Sequence, residues 1–163
     1  MLQNLRTDWL DSAMKFISYL GNRGQIWIFA GIIMLFLKKY RKCGFAVLSA
    51  LILCLIIGNG ILKNLIARER PCWIDTGIDL IINTPKDYSF PSGHTLSSFA
   101  ASLCIFEHHK SIGIIALVLA SLIAFSRLYL FVHFPTDIIG GIIIGIIISY
   151  SAVKITDKIY KQL

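Results

Sequence analysis

Apolar residues come in blocks along this chain, and most of the charged ones fall in the gaps. Ile26–Leu37 reads IWIFAGIIMLFL and Cys43–Leu62 reads CGFAVLSALILCLIIGNGIL; Gly93–Phe106, Ile112–Phe134 and Ile138–Val153 follow. Crossing a bilayer as a helix takes about 20 residues at about 1.5 Å each. The second block has that length, whereas the first reaches it only if Gln25 and Lys38–Tyr40 extend it by snorkelling. The pattern predicts five membrane-spanning helices. Ahead of them Leu2, Leu5, Trp9, Phe16 and Leu20 recur at helical spacing, with Arg6, Asp8, Asp11, Ser12 and Lys15 on the other side. That is an amphipathic helix over 2–20, lying in the membrane interface or packed on the bundle. The expected fold is all-α, a polytopic membrane helix bundle in one domain over 1–163. Gly141 and Gly145 give a small-xxx-small spacing that predicts close helix packing inside the bundle. Trp9, Trp27, Trp73 and Tyr88 suit an interfacial aromatic belt.

Composition narrows the class. Hydrophobic residues make up 56% of the chain and mean hydropathy is +0.71, too apolar for an ordinary soluble domain. The net charge of +7 would suggest nucleic acid in a soluble protein. Here the basic residues gather between apolar blocks, which reads as membrane topology and leaves no nucleic-acid partner expected. The KKYRKC turn, Lys110 and the C-terminal Lys154, Lys158 and Lys161 fall on one side of a five-span bundle. Together they hold eight basic residues against Glu107 and Asp157, while the other side mixes eight basic residues with seven acids. The first side is therefore expected to be cytoplasmic, which places the N-terminus, the 63–92 loop and the region of His133 outside. Cys43, Cys54, Cys72 and Cys104 lack metal-ligand spacing and read as small hydrophobes.

Three polar clusters then fall on the outer side. Lys63 and Arg70-Pro71 form the first, Pro91-Ser92-Gly93-His94 the second, and Ser126-Arg127, His133 and Asp137 the third. Lys63 and Arg70 are seven residues apart, so a continuing helix would place both near one face, where they suit a multiply charged anion. Pro91 and Ser92 read as a helix start, and Gly93 lets backbone approach a ligand. Such a terminus offers free N–H groups to a phosphate. Arg127 lies within an apolar span, where a charge is costly and points to function. Arg68 and Asn64 read as headgroup anchors. A carboxylate beside an imidazole fixes its tautomer, so one histidine can attack phosphorus while the other protonates the leaving oxygen. Phosphoryl transfer through a phosphohistidine, without metal or other cofactor, is the chemistry these residues fit. A non-catalytic phospholipid carrier is the alternative; it needs the cations but not two histidines and an aspartate in register.

These motifs resemble those of the type 2 phosphatidic acid phosphatase superfamily, in its integral-membrane branch. The family pattern is Lys, six residues, Arg-Pro; then Pro-Ser-Gly-His; then Ser-Arg, five residues, His, three residues, Asp. Lys63 to Pro71, Pro91 to His94 and Ser126 to Asp137 match it, spacing included. The resemblance implies His133 as nucleophile, Asp137 as its orienting partner and His94 as general acid that later activates water. It gives Lys63, Arg70, Ser92, the Gly93 amide and Arg127 to the phosphate oxygens. It implies a lipid phosphate substrate, undecaprenyl pyrophosphate ahead of phosphatidylglycerophosphate or phosphatidic acid. It also implies the bacterial cytoplasmic membrane, with the site facing out. Membrane members commonly have six spans, one more than expected here. Phe131 stands where similar sequences often carry glycine, and its ring is expected to narrow the pocket.

Overall fold

Every regular element among the described residues, 2–162 of a computed structural model, is helical. A 3-10 turn at Leu2–Leu5 leads into α1 (Asp8–Leu20). The break falls at Arg6-Thr7, because the Thr7 side chain accepts from Leu10 N and caps the new helix. The expected 2–20 helix is thus in two pieces. Met14 of α1 is buried with Leu10 and Ile17 packed beside it, and Ser18 is buried too, while Trp9 and Phe16 are 76% and 63% exposed and turn away from the bundle.

A 3-10 turn at Asn22–Gly24 connects α1 to α2 (Gln25–Phe36), and α3 follows (Arg41–Leu53). The chain continues from α3 without a break through a π-helical stretch, Cys54–Leu62, into the single turn α4 (Lys63–Ile66). Ala67 takes a left-handed conformation (φ 47°) and stops it. After α5 (Pro71–Ile74) comes an irregular loop, then α6 (Gly93–His108), α7 (Lys110–Tyr129) and α8 (Pro135–Tyr160).

Among the described residues three helical stretches are long and apolar enough to cross a membrane: the continuous run that begins at Arg41 and ends before Ala67, Lys110–Tyr129 and Pro135–Tyr160. The other two expected spans fall short by length, with 12 residues in α2 and 16 in α6. The position of α6 accounts for its polar residues. It packs against α3, α7 and α8, and Thr95, Ser98 and Ser102 on it are wholly buried. A helix sheathed by protein need not be apolar all round. Its small residues allow close approach. A Cβ on Gly141 or Gly145 of α8 would lie within 3.3 Å of α6 backbone atoms, so these glycines serve packing inside the bundle, as expected. Trp27 is buried and donates to Ser98 Oγ at 2.9 Å, which makes it core rather than belt.

The α6–α7 corner depends on Gly113, where a Cβ would stand 2.1 Å from Phe106 Cα. Backbone cannot yield as a side-chain tip can. Gly113→Ala is expected to destabilise the bundle by about 1–3 kcal/mol, read as a lower thermal midpoint in detergent; an unchanged midpoint contradicts this packing.

The two ends of the bundle differ in kind. At one, Lys42 pairs with Asp157 at 2.7 Å, Tyr40 meets His109 edge-on and Phe45 meets Tyr160. The three basic segments singled out by charge therefore gather there. The opposite end carries the three polar clusters.

Candidate active site

Lys63 follows directly on the π-helical stretch, whose wider turn brings Asn59 and Lys63 to one cleft. The left-handed Ala67 then ends the helix, so Lys63 and Arg70 do not share a helical face as the spacing suggested. They converge because the chain turns back. Lys63 Nζ pairs with Asp87 Oδ2, and Arg70 Nη2 donates to Asp87 Oδ1 at 2.9 Å. Arg70 is further fixed by the carbonyls of Asp87 and Val132, each at 2.7 Å. Lys63, Arg70 and Arg127 are all buried, at 6%, 2% and 5% exposure. Arg127 Nη1 donates to Ser18 Oγ of α1. Its Nε is buried and without a partner among the described residues. A buried unpaired guanidinium donor is costly unless an anion completes it.

Asp87 lies in the loop outside the helices and is more than half exposed. Burial by itself would raise its carboxyl, but Lys63 and Arg70 outweigh that and hold it at about 2. It is a fixed anion lying across two of the three cations.

His133 stands in the turn between α7 and α8. Arg70 Nη1 approaches its Nε2 at 3.1 Å. An arginine N–H can only donate, so Nε2 carries the lone pair and Nδ1 the proton. Burial pushes this imidazole down to about 3, against the opposing pull of Asp137, and Arg70 and Arg127 add to the lowering. It is neutral at neutral pH. Asp137, wholly buried in the first turn of α8, accepts from Phe134 N at 2.8 Å and from Ser89 Oγ at 2.5 Å. Its other oxygen takes Arg68 Nη1 at 2.8 Å.

Ser92 caps α6: its Oγ accepts from Thr95 N and Thr95 Oγ1, at 3.5 and 3.0 Å. That hydroxyl faces its own helix rather than the cleft. His94, in the first turn of α6, hydrogen-bonds Asn22 Oδ1 through Nε2 at 2.9 Å.

Of the residues singled out in sequence, Lys63, Arg70, Gly93, His94, Arg127 and His133 line one cleft of ≈ 1780 Å³. Asp137 backs His133 from behind. Phe131 departs from expectation. Its ring packs with Met14, Cys72 and Tyr129, away from the cleft, and its backbone is left-handed (φ 58°). A left-handed turn is what glycine supplies without strain, so the position concerns backbone, not pocket width. Arg68 is no headgroup anchor: it pairs with Asp137 and lies over the Phe134 ring, 4.2 Å from its centroid. Sequence reading missed Asp87, Ser89, Asn22 and Ser18. Asp87 and Ser89 stand just upstream of Pro91, but nothing in their spacing announces a partner.

Residues 42–161 match the family described as the PAP2 superfamily. The chain is 33% identical over 147 residues to an undecaprenyl-diphosphatase of Sulfolobus acidocaldarius, covering 90% of this chain and 70% of that one. It is 29% identical over 175 residues to phosphatidylglycerophosphatase B of Bacillus subtilis, covering 95% and 79%. The crystal structure of a transmembrane PAP2 type phosphatidylglycerolphosphate phosphatase from Bacillus subtilis superposes with a TM-score of 0.76 at 28% identity, covering 97% of this chain and 82% of that one.

Proposed function

The chain belongs to the PAP2 superfamily and is a membrane lipid phosphatase; from that premise we propose that it removes the terminal phosphoryl group of a lipid phosphate through a phosphohistidine on His133. The observation that carries this reading is the two-sided cleft. Its polar end holds Lys63, Arg70, Arg127, His94 and His133. The same cleft continues between apolar walls that include Phe16, Ile28, Ile32, Ile52 and Leu55, all exposed on the bundle surface. An anionic head and an apolar tail fit it together.

The steps follow from the side chains. Phosphate oxygens take the N–H groups of Arg70 and Arg127 and the Lys63 ammonium, and the Gly93 amide adds a donor at the α6 terminus. Arg70 thereby leaves His133 Nε2, whose lone pair attacks phosphorus. The P–O bond to the lipid breaks as His94 protonates the leaving oxygen. Water, deprotonated by His94, then attacks the phosphorus and the P–N bond breaks, releasing phosphate and neutral His133. No step draws on a metal or other cofactor. Undecaprenyl diphosphate is the favoured substrate, with phosphatidylglycerophosphate and phosphatidic acid next; the names of the two relatives and the number of cations support that order.

The same reading takes α2 and α6 through the bilayer beside the three longer helices, five crossings in all. It lays α1 in the interface, supported by its outward Trp9 and Phe16. It also turns the site to the extracytoplasmic side, supported by the basic residues gathered at the other end. Purified protein in detergent, without added metal, should release phosphate from these three lipids, fastest from the diphosphate, and vanadate should inhibit it. Lipid binding without release from any of them overturns the reading in favour of a carrier.

Asp87 enters as a competitor, since substrate phosphate must displace its carboxylate from Lys63 and Arg70. Asp87→Asn is expected to lower KM and tighten vanadate inhibition by roughly fivefold, because a half-exposed pair contributes at most about 1 kcal/mol, with kcat within about twofold. A rise in KM instead means that Asp87 aligns the two cations.

A further inference from the structure

We infer that Ser89 is a positioning residue for the nucleophile, joining His133 to Asp137 through its hydroxyl, an inference that rests on the phosphohistidine reading above. The direct contact between His133 Nδ1 and Asp137 Oδ2 is 3.5 Å, too long for a good hydrogen bond. Oδ2 is also already taken, by the Phe134 N–H at 2.8 Å and the Ser89 hydroxyl at 2.5 Å. Ser89 Oγ lies 3.2 Å from His133 Nδ1. A hydroxyl has one proton to give and lone pairs to receive another. With its proton on Asp137, Ser89 accepts the Nδ1–H of His133, which matches the tautomer that Arg70 imposes at Nε2.

Among the described residues the Ser89 hydroxyl hydrogen-bonds only His133 and Asp137. Ser89 is wholly buried, and its N–H donates to the Arg68 carbonyl at 2.8 Å. The Arg68 guanidinium meanwhile holds Asp137 Oδ1 at 2.8 Å and Thr136 Oγ1 at 2.6 Å. One residue thus fixes both ends of the chain, serine by its backbone and aspartate by its side chain. No proton needs to run along it. Asp137 stays charged, Ser89 passes its field to the ring, and the Nε2 lone pair is kept aimed at the cleft. When Nε2 takes the phosphoryl group, the ring becomes cationic and the Ser89–Asp137 pair stabilises that charge.

The experiment has two readouts on wild type, Ser89→Ala and Ser89→Thr. Nitrogen NMR on histidine-labelled protein in detergent reports the tautomer without any turnover. Wild type should give the Nδ1–H form at His133, Ser89→Ala a mixed or reversed one, and Ser89→Thr, which keeps a hydroxyl, the wild-type form. In lipid phosphate hydrolysis, Ser89→Ala should lower kcat by about thirtyfold with KM within about twofold, and threonine should restore much of it. Unchanged kcat in Ser89→Ala overturns the inference, as does a wild-type tautomer that persists without the hydroxyl. Tautomers as expected in a wild type that releases no phosphate sustain the hydrogen-bond chain and overturn the phosphatase reading instead.

Discussion

His133→Ala abolishes phosphate release, by about four to six orders of magnitude in kcat, while the protein still folds and still binds vanadate or lipid phosphate. The size of the effect follows from what is lost. Two imidazoles line the cleft, and only one is backed by a carboxylate. His133 has its Nδ1 proton turned to Ser89 and Asp137, leaving Nε2 as a lone pair beside Arg70. His94 is backed by the neutral amide of Asn22. Folding survives because Asp137 keeps Arg68, Ser89 and the Phe134 amide as partners once the ring is gone. Binding survives because Lys63, Arg70 and Arg127 are untouched. Phosphate release assayed beside ligand-induced thermal stabilisation separates the two properties. Residual turnover within about tenfold of wild type removes His133 as the nucleophile.

His94→Ala lowers kcat by about two to four orders of magnitude, the span usual for a general acid or base, and its effect depends on the substrate. A diphosphate lipid leaves as a phosphate, which departs readily without a proton. In that case formation of the phosphohistidine is spared and its hydrolysis, which needs His94 to activate water, is slowed. A monophosphate lipid leaves as an alkoxide, which needs the proton, so both steps suffer. The burst of lipid product measured in single-turnover experiments should therefore persist with the diphosphate and fade with the monophosphate. Equal loss of the burst with both substrates contradicts the assignment of the proton to His94. His94 sits in the first turn of α6, half-buried, and its ring packs close against Gly21, which has no side chain.

The chemistry was more legible in the chain than the frame that carries it. Lys63, Arg70, His94, Arg127 and His133 are polar or charged residues set against long apolar blocks, so each one stands out and their convergence can be argued from membrane sidedness alone. Helices α7 and α8 were legible for the same reason. What remained hidden depends on neighbours in space. Ser89 and Asp87 are ordinary loop residues until the chain folds them against His133 and Arg70. Arg68 reads as one more charge at a helix end, yet it neutralises a wholly buried carboxylate. Its partner lies 69 positions away, and no periodicity links the two. The block that predicted α6 gave its place in the chain but not its setting, since a central helix surrounded by protein carries buried serines and threonines that a lipid-facing one would not. The seven-residue spacing of Lys63 and Arg70 suggested a shared face, and the left-handed turn at Ala67 brings them together by another route. Phe131 is the converse case. Its identity pointed to the pocket, whereas its backbone explains the position.

The central claim is that His133 takes the phosphoryl group. It is tested most directly by mixing the protein with a lipid diphosphate, quenching under alkaline conditions that preserve phosphohistidine, and locating the phosphoryl group by peptide mass spectrometry. The adduct should be found on the His133 peptide, at higher occupancy in His94→Ala than in wild type and not at all in His133→Ala. A phosphoryl group on His94, or steady turnover with no adduct on His133 in either protein that retains it, contradicts the account.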